Sequence, residues 1–177
     1  MKLARATVWI VYLVPCAVAC SDPLDNDVEP SASPSPPPPL SLSFGTPQTF
    51  DLISWNIESF PKDENETPVY VTRVLQALAP DVVVIQEVWN PQHLARVAQQ
   101  AGNYDVAIAS NDPESGLAFL VNPETVQILT EPRAIYVDQS YDFGYRGPVI
   151  LRVRYRETDL TLINLHYKCC GDNILTE

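Results

Sequence analysis

The chain has 177 residues, a formal net charge of −11 and a hydrophobic fraction of 46%. A chain this acidic is unsuited to generic binding of nucleic acid, because the phosphate backbone selects positively charged surfaces. The charge does not exclude an enzyme that meets phosphate through one local site and a metal ion. The length suits one domain with additional segments.

Residues 1–19 have the three-part pattern of a secretory signal peptide. Lys2 and Arg5 form its charged start, an apolar run covers residues 6–14, and small residues directly precede Cys20. The run is too short for an ordinary membrane-spanning helix. The end of this leader resembles the lipobox of bacterial lipoproteins, which implies lipidation of Cys20 and a membrane-anchored chain. The alternative is a cleaved signal peptide without lipid, and in both cases we expect export.

Residues 20–48 are predicted to form an extended, disordered linker. They combine acidic residues, serines and the block Pro36–Pro39, a composition that cannot bury a core. Such a segment after an acylated cysteine would hold a domain away from a membrane surface, and a proline-rich ligand for another protein is the alternative. The globular domain is therefore predicted over residues 49–177.

The domain begins with the pattern strand, helix, strand, helix and continues with a run of strands. The predicted strands cover 49–57, 81–88, 104–109, 116–121, 126–129, 149–155 and 160–167, and the predicted helices cover 69–78 and 91–101. Helical crossovers followed by antiparallel hairpins are typical of an α/β or α+β layered sandwich with mixed β-sheets. This is the fold class that the sequence predicts.

The first two predicted strands end in polar residues, Asn56 on the first and Gln86-Glu87 on the second. If the intervening helix joins two neighbouring strands, Asn56 and Glu87 lie side by side at the sheet edge where α/β sites form. One carboxylate and one amide oxygen make a sparse but typical ligand set for Mg²⁺. The alternative is a capping Asn beside a surface Glu.

The last predicted strand carries Asn164, His166 and Lys168 at alternate positions. Residues two apart share one face of a strand, so these side chains are predicted to line a polar pocket that faces a phosphate. A protonated His166 in that pocket would stabilise charge on phosphoryl oxygens. The alternative is the solvated face of an edge strand.

Several arginines lie near these segments. Arg146 precedes the last hairpin, and its planar guanidinium suits a phosphate, although a lone arginine in a loop is usually solvated. Arg152, Arg154 and Arg156 alternate with apolar residues. We interpret these three as the wet face of a strand, with a nucleic-acid track as the alternative.

The chain has four cysteines. Cys16 lies in the leader and Cys20 is the predicted lipidation site, which leaves the adjacent pair Cys169 and Cys170. In an exported protein that pair allows a vicinal disulfide or pairing with a thiol outside this chain. No spacing of Cys and His suggests zinc.

Five segments, in this order and spacing, together resemble the endonuclease/exonuclease/phosphatase superfamily, which has the DNase I-like fold. They are SWNI at 54–57, PDVVVIQEVW at 80–89, GLAFLVNP at 116–123, RGPVILRV at 146–153 and LTLINLHYK at 160–168. The resemblance covers nearly all of residues 49–173. It implies a four-layer sandwich and metal-dependent cleavage of phosphoester bonds.

The resemblance also implies roles for four residues. Asn56 and Glu87 match the metal ligands, with Mg²⁺ as the expected ion and Mn²⁺ as a possible substitute. His166 matches the first active-site histidine, which contacts the scissile phosphate. Arg146, in an R-x-P element, matches a phosphate contact.

The chain departs from the family pattern after His166. The family continues with a D-x-N element and a terminal Asp-His pair, whereas this sequence ends at Glu177. Asp172-Asn173 lies too close to His166 and lacks the intervening residue, so it is not assigned that role. The sequence therefore resembles the N-terminal half of the domain: a truncated or frameshifted gene product, a fragment of a longer sequence, or a chain that another component completes. We expect this chain alone to be unstable and inactive.

Two functional hypotheses follow. The first is an exported, lipid-anchored, magnesium-dependent phosphoester hydrolase without a stable protein partner. Its substrate class stays open among nucleic acid, nucleotide, inositol phosphate and phospholipid head group. The second is a non-catalytic, surface-anchored lipoprotein that keeps the fold to bind a partner.

Overall fold

The computed structural model describes residues 40–167, which form two sheets, two α-helices and one 3-10 helix. In chain order the elements are β1 (Leu52–Phe60), α1 (Glu66–Leu78), β2 (Val82–Val88), α2 (Pro91–Gly102), β3 (Asp105–Ala107), β4 (Leu117–Val121), β5 (Val126–Ile128), β6 (Arg133–Ala134), the 3-10 helix (Val137–Phe143), β7 (Val149–Tyr155) and β8 (Thr158–Asn164). The predicted α/β class is confirmed. The short β6 and the 3-10 helix were not predicted.

The first sheet has the strand order β1-β2-β4-β3 and is mixed. β1 and β2 run parallel because α1 crosses over between them, whereas β4 is antiparallel to both β2 and β3. The second sheet is antiparallel throughout: β7 pairs with β5 and β6 along one edge and with β8 along the other.

The first sheet lies between the two helices and the second sheet. Val83 and Ile85 of β2 pack with the buried faces of α1 and α2, whereas Val82 and Val84 pack with β7 on the opposite face. A strand that is covered on both faces must be apolar at every position, which explains the continuous run in β2. The described residues form one helical layer and two sheet layers, which are three of the four layers that the resemblance implies.

Residues 40–48, the last part of the predicted linker, lie against the domain. Phe44 packs against the helical core, and the Arg156 guanidinium donates to the Pro47 carbonyl at 2.7 Å. Thr49 forms a turn with Thr46 rather than the start of β1. No helix within residues 40–167 is long and apolar enough to cross a membrane.

Gly116 adopts a left-handed conformation, with φ +71°, directly before β4. Its carbonyl accepts from the Val88 N–H at 2.9 Å and so fixes the end of β2. A methyl group would meet its nearest neighbour at 3.5 Å, which is ordinary contact. The backbone conformation, rather than a clash, therefore determines the cost of a side chain here.

We expect Gly116→Ala to lower the free energy of unfolding by about 1–2 kcal/mol, because a side chain disfavours the left-handed region. Urea denaturation followed by circular dichroism measures the change. Asn103→Gly is the matched control, since Asn103 has φ 56° and glycine relieves that conformation. A Gly116→Ala variant as stable as the unsubstituted chain would contradict this explanation.

Candidate active site

Asn56 and Glu87 meet at the carboxyl ends of the parallel strands β1 and β2. The register pairs Asn56 with Gln86, so Glu87 lies one residue beyond that pair. The Asn56 amide, through Nδ2, donates to Glu87 Oε1 at 2.9 Å. The structure thus brings together the two residues that the sequence predicted as neighbours. Their role as metal ligands stays a prediction.

The backbone is strained on both sides of this contact. Glu58 and Ser59 have φ of 44° and 56°, and Glu87 itself has φ of 66°. The left-handed pair directs the Glu58 N–H to Asn56 Oδ1 at 2.9 Å and the Ser59 N–H to Glu87 Oε2 at 2.8 Å. Non-glycine residues in this region cost energy and are concentrated at functional sites.

The pKa of Glu87 lies below its ordinary value. Partial burial alone would raise it, but the hydrogen bonds from Asn56 and Ser59 and the positive charge of Arg146, joined by that of His166 when its ring is protonated, together outweigh that effect. The carboxylate is therefore ionised at neutral pH. An ionised carboxylate is what a hard cation requires as a ligand.

His166 follows β8 and reaches the same edge from the second sheet. Its Nε2 lies 3.5 Å from Glu87 Oε1 and 3.4 Å from Asn56 Nδ2. Its Nδ1 lies 2.7 Å from Arg146 Nη1. A guanidinium only donates, so Nδ1 must accept, and we infer that the neutral imidazole carries its hydrogen on Nε2, toward Glu87.

The pKa of His166 is lowered. Burial disfavours the charged ring, the Arg146 guanidinium adds repulsion, and Glu87 offsets only part of both effects. The lowered pKa disfavours the protonated ring that the sequence interpretation used, and the role of His166 at a phosphate stays a prediction. The neutral ring can still donate a hydrogen bond from Nε2 to a phosphate oxygen.

Arg146 is held at the site from two sides. Its guanidinium lies 5.5 Å from the centre of the Trp89 ring while it bonds to His166. The backbone directly after Arg146 lies close to the segment that contains Ile135. A Cβ atom at Gly147 would lie only 2.6 Å from the Ile135 carbonyl oxygen. The loop arginine is therefore partly buried and contacts two side chains of the site. Its role as a phosphate contact stays a prediction.

Asn164 does not line the pocket that the sequence predicted. It is fully buried, and its amide nitrogen donates to the carbonyls of Ile85 and Ala118 at 2.8 and 3.0 Å. Its amide oxygen accepts from Gln86 Nε2 at 2.8 Å. We call these three hydrogen bonds the Asn164 clamp. The clamp joins β8 to β2 and β4 next to the site.

The clamp explains how residues from the two sheets come together at the site. Gln86 directly precedes Glu87, and Asn164 lies two residues before His166, so their hydrogen bond fixes the two strand ends that carry the site. Gln86 was noted in the sequence, but no role was assigned to it. An amide beside a carboxylate at the end of a buried strand was the available signal.

The remaining predicted residues lie elsewhere. Arg152 and Arg154 are exposed and pair with Asp159, which confirms the wet face of β7. Lys168, Cys169, Cys170 and the predicted lipidation residue Cys20 lie outside the described residues.

This edge of the sheet offers only a few of the oxygen ligands that a single hard cation takes. Within residues 40–167 no group of three or more His, Cys, Asp or Glu side chains could hold a metal ion. Glu87 offers an ionised carboxylate, and Asn56 Oδ1 accepts one N–H and keeps a second lone pair. At present the Asn56 amide nitrogen faces Glu87. Magnesium commonly takes one or two carboxylates with water and substrate oxygens, so Asn56 and Glu87 would hold part of its shell.

We expect Arg146→Gln to raise the pKa of His166, because the substitution removes the positive charge next to Nδ1. NMR titration of the imidazole measures this directly, and the chain has only two histidines. Arg154→Gln is the control, since Arg154 is exposed and pairs with Asp159. An unchanged pKa of His166 in Arg146→Gln would show that the charge of Arg146 does not affect the imidazole.

The lowered pKa of His166 also predicts a pH dependence of stability. Below the ordinary histidine pKa of about 6.5 the unfolded chain binds the proton more readily than the folded chain. The free energy of unfolding should therefore fall as the pH drops from 7 to 5. His166→Gln should reduce that slope in urea titrations at each pH, and an unchanged slope would contradict the prediction.

A carboxylate, an amide, an imidazole and a guanidinium thus meet at one edge of the first sheet. The model of the Endonuclease/Exonuclease/phosphatase family matches residues 53–165, and the chain belongs to this family. The resemblance that the sequence motifs indicated is thereby confirmed.

One solved structure of similar fold belongs to a longer protein. A structure titled "Crystal Structure of SmcL" is similar, with 15% sequence identity and a TM-score of 0.47, over 75% of this chain and 52% of that one. The chain thus spans about half the length of that protein. No curated protein matches the sequence.

Proposed function

We propose that the chain carries the metal-binding and phosphate-facing side of a divalent-metal-dependent phosphoester hydrolase. The observation that supports this proposal is the convergence of Asn56, Glu87, Arg146 and His166, which are far apart in sequence, at one sheet edge. Membership of the Endonuclease/Exonuclease/phosphatase family supports the reaction class.

Each residue has a role that its chemistry allows. Glu87 and Asn56 would hold the cation, which when bound neutralises phosphate charge and activates water. His166 would donate from Nε2 to a phosphoryl oxygen. Arg146 has five N–H donors, of which one contacts His166, and the remaining donors suit a second phosphate oxygen.

The test measures hydrolysis of a chromogenic phosphodiester by the longest natural protein that contains this sequence. We expect activity with Mg²⁺ or Mn²⁺, loss of activity with EDTA, and severe loss in His166→Ala. Arg154→Gln is the control. Cation binding without hydrolysis would favour the non-catalytic binding lipoprotein, and full activity in His166→Ala would contradict the assigned site.

We further propose that the protein is exported and anchored through a lipid on Cys20. The supporting pattern is the charged, apolar and small-residue order of residues 1–20. Mass spectrometry of the mature N-terminus from bacterial cells should find an acylated cysteine. Cys20→Ser should move the protein out of the membrane fraction, and retention there would contradict lipid anchoring at this residue.

A further inference from the structure

A group of exposed apolar side chains borders Arg146 and His166. We define the aromatic surface as Trp89, Tyr136, Val137, Tyr141, Tyr145 and Tyr167, whose exposed fractions range from 43% to 72%. Contiguous exposed apolar patches of this kind mark interaction sites on soluble domains.

The aromatic surface is continuous with the candidate site. Phe143 stacks on Tyr136 at 5.7 Å and on Tyr167 at 6.0 Å between ring centres, and Tyr167 directly follows His166. Tyr141 packs edge-to-face on Tyr145 at 5.5 Å, and Tyr145 directly precedes Arg146. A molecule that covers these rings therefore lies next to the phosphate-facing donors.

The rings contact one another rather than the core. No residue of the 3-10 helix Val137–Phe143 is buried, so this segment contributes little to packing of the two sheets. Packing among residues 40–167 does not explain a segment that places Tyr141 at 72% exposure. An interaction with a partner surface gives these side chains a function.

The charge of the segment restricts that partner. Residues 134–145, which carry four of the six residues of the aromatic surface, contain Asp138 and Asp142 and no basic residue, and Arg133 and Arg146 lie directly outside this range. Surfaces that bind single-stranded nucleic acid combine aromatic rings with a positively charged groove, and anionic membranes select clusters of Lys and Arg. Tyr and Trp alone, with an apolar ring and a polar end, suit the head-group layer of a bilayer without net charge.

We propose that the aromatic surface docks the protein onto the interface of a zwitterionic phospholipid bilayer. In that orientation Arg146 and His166 face the head-group layer, where lipid phosphoesters lie. Docking does not depend on catalysis, whereas the conclusion that the substrate is a lipid phosphoester rests on the proposed function.

The experiment measures flotation of residues 21–177 with phosphatidylcholine vesicles, in EDTA. Every variant starts at Ser21, so that neither the apolar run of residues 6–14 nor a lipid on Cys20 contributes. We expect the parent chain to bind, and Tyr141→Ser/Tyr145→Ser to reduce the partition coefficient by at least about tenfold, which corresponds to 1.4 kcal/mol. Val69→Ser/Tyr70→Ser is the matched control, because both residues are exposed on α1, and it should bind like the parent chain.

A third variant separates a bilayer from a base-stacking partner. Tyr141→Leu/Tyr145→Leu keeps apolar side chains but removes the rings, so it should still bind vesicles. Absence of vesicle binding by the parent chain would overturn the proposal. So would binding only to vesicles that contain anionic lipid, or tight binding of oligothymidylate that is lost in both the Ser and the Leu variant of Tyr141 and Tyr145. Circular dichroism shows that each variant keeps the parent fold. Hydrolysis is not measured, so failure here is distinguishable from failure of the proposed function.

Discussion

Glu87→Gln is expected to weaken Mn²⁺ binding by at least about 100-fold, since even loss of an outer-shell partner commonly costs 10–100-fold. Glu87 is the charged member of the pair that would hold the cation, and its lowered pKa keeps it ionised. An amide of the same shape preserves much of the packing and removes the charge. Isothermal titration calorimetry with Mn²⁺ on the folded chain measures the loss without requiring turnover.

A matched substitution separates a local ligand from general electrostatics. Glu157→Gln removes the same charge at an exposed position of the turn between β7 and β8, so it should leave Mn²⁺ affinity within about twofold, as for surface sites screened by salt. Equal losses of Mn²⁺ affinity in Glu87→Gln and Glu157→Gln would mean that the affinity depends on the net charge of −11 rather than on a specific site.

Asn164→Leu is expected to destabilise the fold more than any single surface change. The substitution keeps the volume approximately but leaves Gln86 Nε2 and the carbonyls of Ile85 and Ala118 without this partner. Each unsatisfied buried group costs about 1–3 kcal/mol. We therefore expect a loss of about 3 kcal/mol or more in the free energy of unfolding, measured by urea denaturation.

The Asn164 clamp should also affect the site. If Asn164→Leu shifts β8 relative to β2, His166 moves away from Glu87 and Arg146, and its pKa should return toward the ordinary value. Thr161→Ala, at an exposed position of the same strand, should change stability by less than about 0.5 kcal/mol. An Asn164→Leu chain with unchanged stability and an unchanged His166 titration would show that the clamp is dispensable.

Much of the first sheet was predictable because the patterns that determine it lie within short stretches of sequence. The apolar run before Glu87 predicts a strand buried on both faces, and a helix between two strands predicts their parallel pairing. Those two inferences suffice to place Asn56 beside Glu87. They do not give the left-handed turn at Glu58-Ser59, since neither residue type favours that conformation.

The second sheet was harder to predict because its contacts are long-range. Alternation predicts that Asn164 and His166 share one face, but β8 ends at Asn164, and alternation cannot say which layer the Asn164 side chain meets. A polar face suggests solvent, whereas here Asn164 faces the first sheet and satisfies backbone carbonyls there. Arg146 reaches His166 only through the β7–β8 pairing, and the 3-10 helix has no burial pattern that a sequence could reveal.

The central claim is that Glu87 and Asn56 bind a divalent cation opposite His166 and Arg146. Anomalous diffraction from a crystal of the chain soaked in Mn²⁺ tests it most directly. We predict one strong anomalous peak in contact with the Glu87 carboxylate and the Asn56 amide oxygen, and its absence from a Glu87→Gln crystal treated in the same way. Manganese bound only at other residues, with the Asn56–Glu87 hydrogen bond intact, would contradict the claim.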